Sequence, residues 1–249
     1  MHRFFVQGQC RTGEEVRLSP EEARHAAQTL RLAPGEAVEL LDGRNLYAAT
    51  LTRVDRREVR AAVSERLRDR EPRIRVTLFQ GLAKGDKLET VARQCTELGV
   101  YALQPLEMAR CVPRPDRGRS EAQRERWQRV AREAAKQCGR ARVPPVYAPA
   151  RMDDPSLAPR WAEQGLIVVP WEEAERGSLR EALAEARDSG EPLRLGLVIG
   201  PEGGITPDEI GQLRSLGAKA VTLGPRTLRT ETAGAAALAA VLALRGEME

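Results

Sequence analysis

The sequence is poor in the residues that most enzymes use as reagents. Its 249 residues hold two histidines, His2 and His25, and four cysteines, Cys10, Cys95, Cys111 and Cys138, with no Cys-x-x-Cys among them. That supply argues against a zinc site and against a disulfide framework. No apolar run approaches the roughly 20 residues that span a bilayer. The opening Met1-His2-Arg3-Phe4-Phe5-Val6-Gln7 passes directly into polar residues, without the apolar core of a secretion signal. The expectation is a reduced, cytoplasmic, metal-free protein with no membrane segment. Aromatics make up 4% of the chain, too few for the stacking platforms of single-strand binders. Walker A, Gly-x-Gly-x-x-Gly and Gly-x-Ser-x-Gly sequences are all missing, which removes the common nucleotide, dinucleotide and serine-hydrolase readings.

What is present is enough to fold. Hydrophobic residues at 41% and charged residues at 31% support a buried core, and the length suits two modest domains. The net charge is only +4, but the stretch from Arg110 to Arg142 carries eleven basic side chains against four acids. A concentrated basic element on a near-neutral body suits a polyanion, and it equally suits a solvated helix face.

Two rhythms divide the chain. Over residues 1–70, short alternating runs such as Ala37-Val38-Glu39-Leu40 and Val59-Arg60-Ala61-Ala62-Val63 are separated by Pro34-Gly35 and Asp42-Gly43 turns. One helix interrupts them, opened by Ser19-Pro20-Glu21-Glu22 with the pattern of a capping box. This predicts a small β-barrel-like module, followed by a charged linker over residues 65–72. From residue 73 to 249, β-prone and helical segments alternate. Lys87 to Leu98 is predicted helical with Gly99 as its stop, Leu193 to Gly200 reads as a buried strand, and Thr206-Pro207-Asp208-Glu209 opens another capped helix. Repeated βα units predict a parallel sheet covered by helices.

Two segments do not read as ordinary connections. Ile199-Gly200-Pro201-Glu202-Gly203-Gly204-Ile205-Thr206 follows a strand, where open α/β sheets bind ligands, and its glycines allow close approach to the main chain. A plain turn into a helix would also use them. Leu223 to Ala233 places Arg226, Arg229 and Glu231 directly before an apolar helix, and a helix cap explains Thr230 and Glu231 but not the arginines.

These two segments together, Gly-Pro-Glu-Gly-Gly at 200–204 and Leu-Gly-Pro-Arg-Thr-Leu-Arg-Thr-Glu-Thr-Ala at 223–233, resemble the RsmE family. Lys84-Gly85-Asp86-Lys87-Leu88-Glu89, the segment Arg132 to Arg140, and His25, Leu30 and Arg31 extend the likeness over the whole chain. The loop Met108-Ala109-Arg110-Cys111-Val112 departs from the family's usual serine-rich stretch. The resemblance implies a PUA-like β-barrel domain at residues 1–70 and a trefoil-knotted SPOUT α/β methyltransferase domain at 73–249. It implies S-adenosylmethionine bound by Ile199, Gly200, Pro201, Glu202, Gly203, Gly204, Leu223, Gly224, Leu228 and Arg229. The implied reaction is methylation of N3 of a uridine in 16S ribosomal RNA, in the assembled small subunit, by a homodimer.

For that chemistry Arg229 is the candidate to stabilise the imide anion or bind the cofactor carboxylate. Glu231 would orient it, or the two form a structural pair, and Glu202 is the candidate base or substrate-positioning group. Arg110, Arg124, Arg132, Arg140 and Arg142 are the candidate phosphate contacts. Rival readings are methylation of transfer RNA or of a ribose hydroxyl, and a dimeric RNA-binding protein without catalysis.

Overall fold

The computed structural model describes the chain except residues 56–57, 114–116, 175–176, 187–189 and 249. Arg114 and Asp116 of the basic stretch therefore lie outside the described residues. Two compact units emerge, one of residues 1–71 with 132–143 and one of 72–131 with 144–249.

In the first unit, β1 (His2–Phe5), β2 (Glu15–Arg17), β3 (Ala37–Leu41), β4 (Leu46–Val54) and β5 (Val59–Arg66) form one sheet in the order β1-β3-β4-β5-β2. β1 and β3 pair in parallel and the other pairs are antiparallel. Phe4, Val38, Leu40, Leu51, Val59 and Ala61 turn to one core, while Phe5, Leu41 and Leu46 pack with Ala135 and Ala141 in a second. Val38, Glu39, Leu40 and Leu41 are all buried, so the alternation read at Ala37 to Leu40 does not mark a solvent face on β3.

Helix α1 (Pro20–Arg24) starts where Ser19 predicts, the serine oxygen accepting from the Glu22 amide at 3.3 Å. The box does not close, because the Glu22 carboxylate goes to Lys136 at 2.6 Å instead. A π-helical turn, His25–Thr29, continues α1 and ends with Arg31 at φ 55°, the sole described non-glycine residue with positive φ. The expected linker is tied down. Leu67 donates to the Leu46 carbonyl at 2.8 Å, Arg70 reaches Glu39 at 3.4 Å, and Glu71 pairs with Arg140 at 2.6 Å.

The second unit is a parallel sheet: β6 (Arg75–Gly81), β7 (Ala102–Glu107), β8 (Ala150–Arg151), β9 (Leu166–Pro170), β10 (Arg194–Ile199) and β11 (Lys219–Val221), in the order β11-β9-β10-β6-β7-β8. Its helices are α2 (Lys87–Leu98), α3 (Arg117–Cys138, the last residues of which belong to the first unit), α4 (Ala158–Ala162), α5 (Leu179–Ala184), α6 (Pro207–Ser215) and α7 (Thr230–Leu244). Alternation along the strands feeds two cores. Val76, Leu78, Leu195, Leu197 and Val168 meet residues of α2, α5 and α7, while Phe79, Val198, Ile167 and Val169 meet Trp161 and α6.

The helix signals hold closely. Gly99 ends α2 at φ 105°, and Ser178 with Glu181 and Thr206 with Glu209 form complete capping boxes. Strand order then decides where a ligand can enter. The chain leaves β6 toward β7 and β8, then restarts on the other side with β9, and inserts β10 between β9 and β6. This reversal is a topological switch point, and the carboxyl ends of β6, β9 and β10 open a crevice there.

Candidate active site

A cleft of about 810 Å³ occupies that place. Its walls are the segments after β9, β10 and β11, with the start of α7 as its floor. Of the residues expected to hold a cofactor, Ile199, Gly200, Pro201, Glu202, Gly204, Leu223, Gly224, Leu228 and Arg229 all line it. Gly203 does not. It faces Arg110, where a Cβ would stand 2.8 Å from the arginine Cβ, and its carbonyl accepts from the Arg110 guanidinium at 3.0 Å.

The glycine loop is built by close contact. A Cβ on Gly81, at the end of β6, would sit 2.5 Å from the Pro201 nitrogen, so only glycine lets the two strand ends approach this closely. Gly204 turns at φ 76°, a left-handed conformation that side chains rarely adopt. Behind the loop, Thr230 Oγ1 donates to the Gly200 carbonyl at 2.6 Å and accepts from Gln80 Nε2 at 2.8 Å. Gln80 and Thr230 are both buried. One hydroxyl thus ties β6, the glycine loop and α7 together.

The 108–112 loop, whose sequence departs from the resemblance, acts as an outer clamp. The Ala109 amide donates to Glu209 Oε1 at 2.7 Å, the Met108 amide approaches Cys111 Sγ at 3.3 Å, and Arg110 holds Gly203. Arg110 therefore supports the loop, a task its expected phosphate contact did not include.

Charge in the cleft centres on Lys87. Its ammonium lies 2.9 Å from Glu202 Oε1 and 3.5 Å from Glu231 Oε2, and Glu202 Oε1 also accepts from the Lys84 amide at 3.0 Å. Burial pushes the Glu202 carboxyl up, but the hydrogen bonds from Lys87 and the backbone amides, with the lysine charge, outweigh it and hold the group below its usual range. The hydrogen bond to Glu202 raises Lys87 above the usual lysine value. Two expectations change. A carboxylate kept ionised this way is a weak base, and Glu231 pairs with Lys87 rather than orienting Arg229. Arg229 and Arg226 are exposed, line the cleft and have no ion-pair partner among the described residues.

Pro170, Trp171, Glu172 and Ala174 also line the cleft, as does Lys87. Sequence reasoning missed them as a wall. The available signal was the end of a buried strand, Leu166 to Val169, followed by a tryptophan and two glutamates.

The candidate phosphate contacts divide. Arg140 is 2% exposed and locked to Glu71 by Nε at 3.0 Å and Nη2 at 2.6 Å, so it is a buried structural cation and cannot reach a phosphate. Arg132 is exposed and lies over the Phe5 ring at 4.6 Å. Arg124 is half-buried and chelates Glu121, and Arg142 is half-buried. Cys95 is fully buried, which pushes its thiol up to about 12, and burial with the Asp42 and Glu14 charges pushes Cys10 up to about 11. Neither is a nucleophile at neutral pH. No group of three or more His, Cys, Asp or Glu suited to a metal occurs among the described residues.

A ligand cleft at the switch point of a parallel sheet, in a chain that also carries a small mixed-sheet unit, defines an α/β enzyme architecture with an appended domain. The family model for an RNA methyltransferase domain matches residues 70–242, and that for an RNA methyltransferase PUA domain matches 18–64. The chain is 38% identical to ribosomal RNA small subunit methyltransferase E of Mycobacterium bovis, over 96% of this chain and 90% of that protein. It is 34% identical to the Bacillus subtilis protein of the same name, over 97% and 96%. Among solved structures, ribosomal RNA small subunit methyltransferase E from Neisseria gonorrhoeae bound to S-adenosyl methionine aligns with a TM-score of 0.81 at 31% identity, covering 98% of both chains. The fold and site thus define an RNA methyltransferase with a PUA domain. Within that class, the chain belongs to the ribosomal RNA small subunit methyltransferase E family.

Proposed function

We propose that the chain transfers the methyl group of S-adenosylmethionine to N3 of a uridine in 16S ribosomal RNA. The observation that carries this reading is the cleft at the switch point, walled by the two segments that the resemblance singles out. Its residues suit the cofactor. The volume lies in the range of small-molecule sites. Gly224, at φ 99° with open space where a Cβ would stand, exposes main chain to a ligand. Glu172 and Glu202 offer negative charge to a sulfonium and an ammonium, and Arg226 and Arg229 offer positive charge to a carboxylate. The cofactor, when bound, supplies an electrophilic methyl that needs no metal.

The protein's own task is the nucleophile. Uracil N3 would give up its imide proton to solvent water and take the methyl as the donor's S–C bond breaks to leave a neutral thioether, with negative charge spreading to the uracil carbonyl oxygens on the way. In this reading Arg229 and Arg226, which line the cleft and have no ion pair among the described residues, stabilise that charge. Glu202 is held ionised by Lys87 and serves to fix the glycine loop. Exposed Arg132 of the first unit and Arg129 of α3 supply phosphate contacts.

Two further parts belong to this reading. α7 is apolar around its whole circumference, yet Ala236 and Ala243 are exposed, which supports burial against a second copy in a homodimer. After β11 at the sheet edge the chain returns to pack α7 on α2, β6 and β10, which supports the knotted topology. No described helix is long and apolar enough to cross a membrane.

The test is incubation with labelled S-adenosylmethionine and small ribosomal subunits lacking the modification, followed by mass analysis of the nucleosides. The expected product is 3-methyluridine in 16S RNA, with more label in assembled subunits than in naked RNA. A 2′-O-methyl nucleoside, label in transfer RNA alone, or no transfer would overturn the reading.

A further inference from the structure

Three segments far apart in sequence, at residues 84–87, 202 and 231, meet on one ammonium. Lys87 opens α2, Glu202 lies in the glycine loop after β10, and Glu231 lies in the first turn of α7. The lysine side chain is 31% exposed and the two glutamates are 26% and 21% exposed; Lys87 and Glu202 line the cleft, and Glu231 stands behind them against the ammonium. Glu231 Oε2 is buried and accepts no hydrogen bond, so the Lys87 charge at 3.5 Å is its compensation among the described residues.

We propose that Lys87 is the positioning residue of the methyl-donor site. It draws Glu202 of the glycine loop and Glu231 of α7 onto one ammonium and so fixes the carboxylate that the cleft wall presents to a cationic methyl donor. This rests on the methyltransferase reading given above. Without the ammonium, Glu202 loses the hydrogen bond and charge that hold it ionised, and the pH at which it takes up a proton rises.

The surrounding charges do not replace it. Asp86 and Glu89 on α2 are engaged by Arg126, at 3.4 and 2.7 Å. Arg110 is bound to the Gly203 carbonyl. Arg226 and Arg229 line the cleft without an ion pair to either glutamate among the described residues, and Glu172 adds further negative charge.

The experiment is calorimetric titration with S-adenosylmethionine from pH 5.5 to 8.5, on wild type, Lys87→Met, Lys87→Gln and Lys87→Arg, each first shown to melt cooperatively. Wild type is expected to bind with nearly constant affinity across the range. Lys87→Met and Lys87→Gln are expected to bind about tenfold more weakly at pH 7.5, one unit of pK-equivalent interaction, with a growing deficit as the pH falls. Lys87→Arg, which keeps the charge, is expected to recover affinity to within about threefold and to restore the flat profile. Neutral variants that match wild type at every pH would overturn the proposal. So would an equal loss at all pH values that arginine does not rescue, since that marks a packing role alone. Absence of binding by wild type would instead strike the methyltransferase reading itself.

Discussion

Thr230 offers the sharpest perturbation of the site, because a single hydroxyl holds three elements. Thr230→Val keeps the shape of the side chain and removes only the polar atom. The Gly200 carbonyl then loses its 2.6 Å donor, and Gln80 Nε2 loses its 2.8 Å acceptor while keeping a longer contact to the Gly81 carbonyl at 3.3 Å. A buried polar group left without a partner costs about 1–3 kcal/mol. Gly200 lies at the cleft, where water can in part replace the lost donor, and Gln80 retains one bond. The combined loss is therefore expected at about 2–3 kcal/mol. For a chain of this size that corresponds to a fall in melting temperature of roughly 4–10 °C. Fluorescence melting follows it through Trp161 and Trp171, both in the second unit. Thr230→Ser keeps the hydroxyl and is expected to lose less than half as much. S-adenosylmethionine affinity is expected to fall with valine, since the glycine loop loses its rear anchor. A valine variant as stable as wild type, within about 0.5 kcal/mol, would refute the claim that this hydroxyl joins the elements.

Other expectations follow from single residues. Arg31→Gly relieves a left-handed arginine and is expected to stabilise the first unit by about 0.5–1 kcal/mol in chemical denaturation; a loss would show that the arginine side chain itself holds the turn. Arg140→Met leaves Glu71 without its buried partner and is expected to cost about 3–5 kcal/mol, with RNA affinity per folded molecule unchanged; weaker RNA binding by a fully stable variant would return Arg140 to the interface. Cys95 is expected to resist iodoacetamide at pH 8 in the native protein and to react once unfolded, as read by peptide mass; rapid native labelling would contradict its burial.

Much of the second unit could be read locally. Gly99, the Ser178–Glu181 box and the Thr206–Glu209 box are signals carried within a few residues, and each ends or starts a helix where expected. The glycine loop and the 223–233 segment stood out because their residue types suit neither a strand nor a helix interior. What escaped was non-local. The capping box at Ser19 fails because Lys136, more than a hundred residues away, takes the Glu22 carboxylate. Arg140 looks like its exposed neighbours until the chain brings Glu71 against it. β1 pairs in parallel with β3, and β8 is two residues long, too short for any periodicity.

The site shows the same division. Its glycines were legible because the turn demands that residue type: a Cβ on Gly200 would stand 2.7 Å from the Ile205 side chain, and Gly204 has φ 76°. Lys87, Trp171 and Glu172 were not, because ordinary surface residue types become cleft walls only through the strand order. Glu231 was assigned the wrong partner for a related reason. Arg229 is near in sequence, while Lys87 reaches it from the start of α2.

The central claim is that the cleft at the switch point is a methyl-donor site. Calorimetric titration of the purified chain with S-adenosylmethionine tests it most directly, with Ala233→Trp as the control that fills the cleft from α7. One saturable site per chain, abolished by the tryptophan in a folded protein, is the expected result. Undiminished binding in the tryptophan variant would place the donor elsewhere, and no binding by wild type, with or without small ribosomal subunits, would contradict the account.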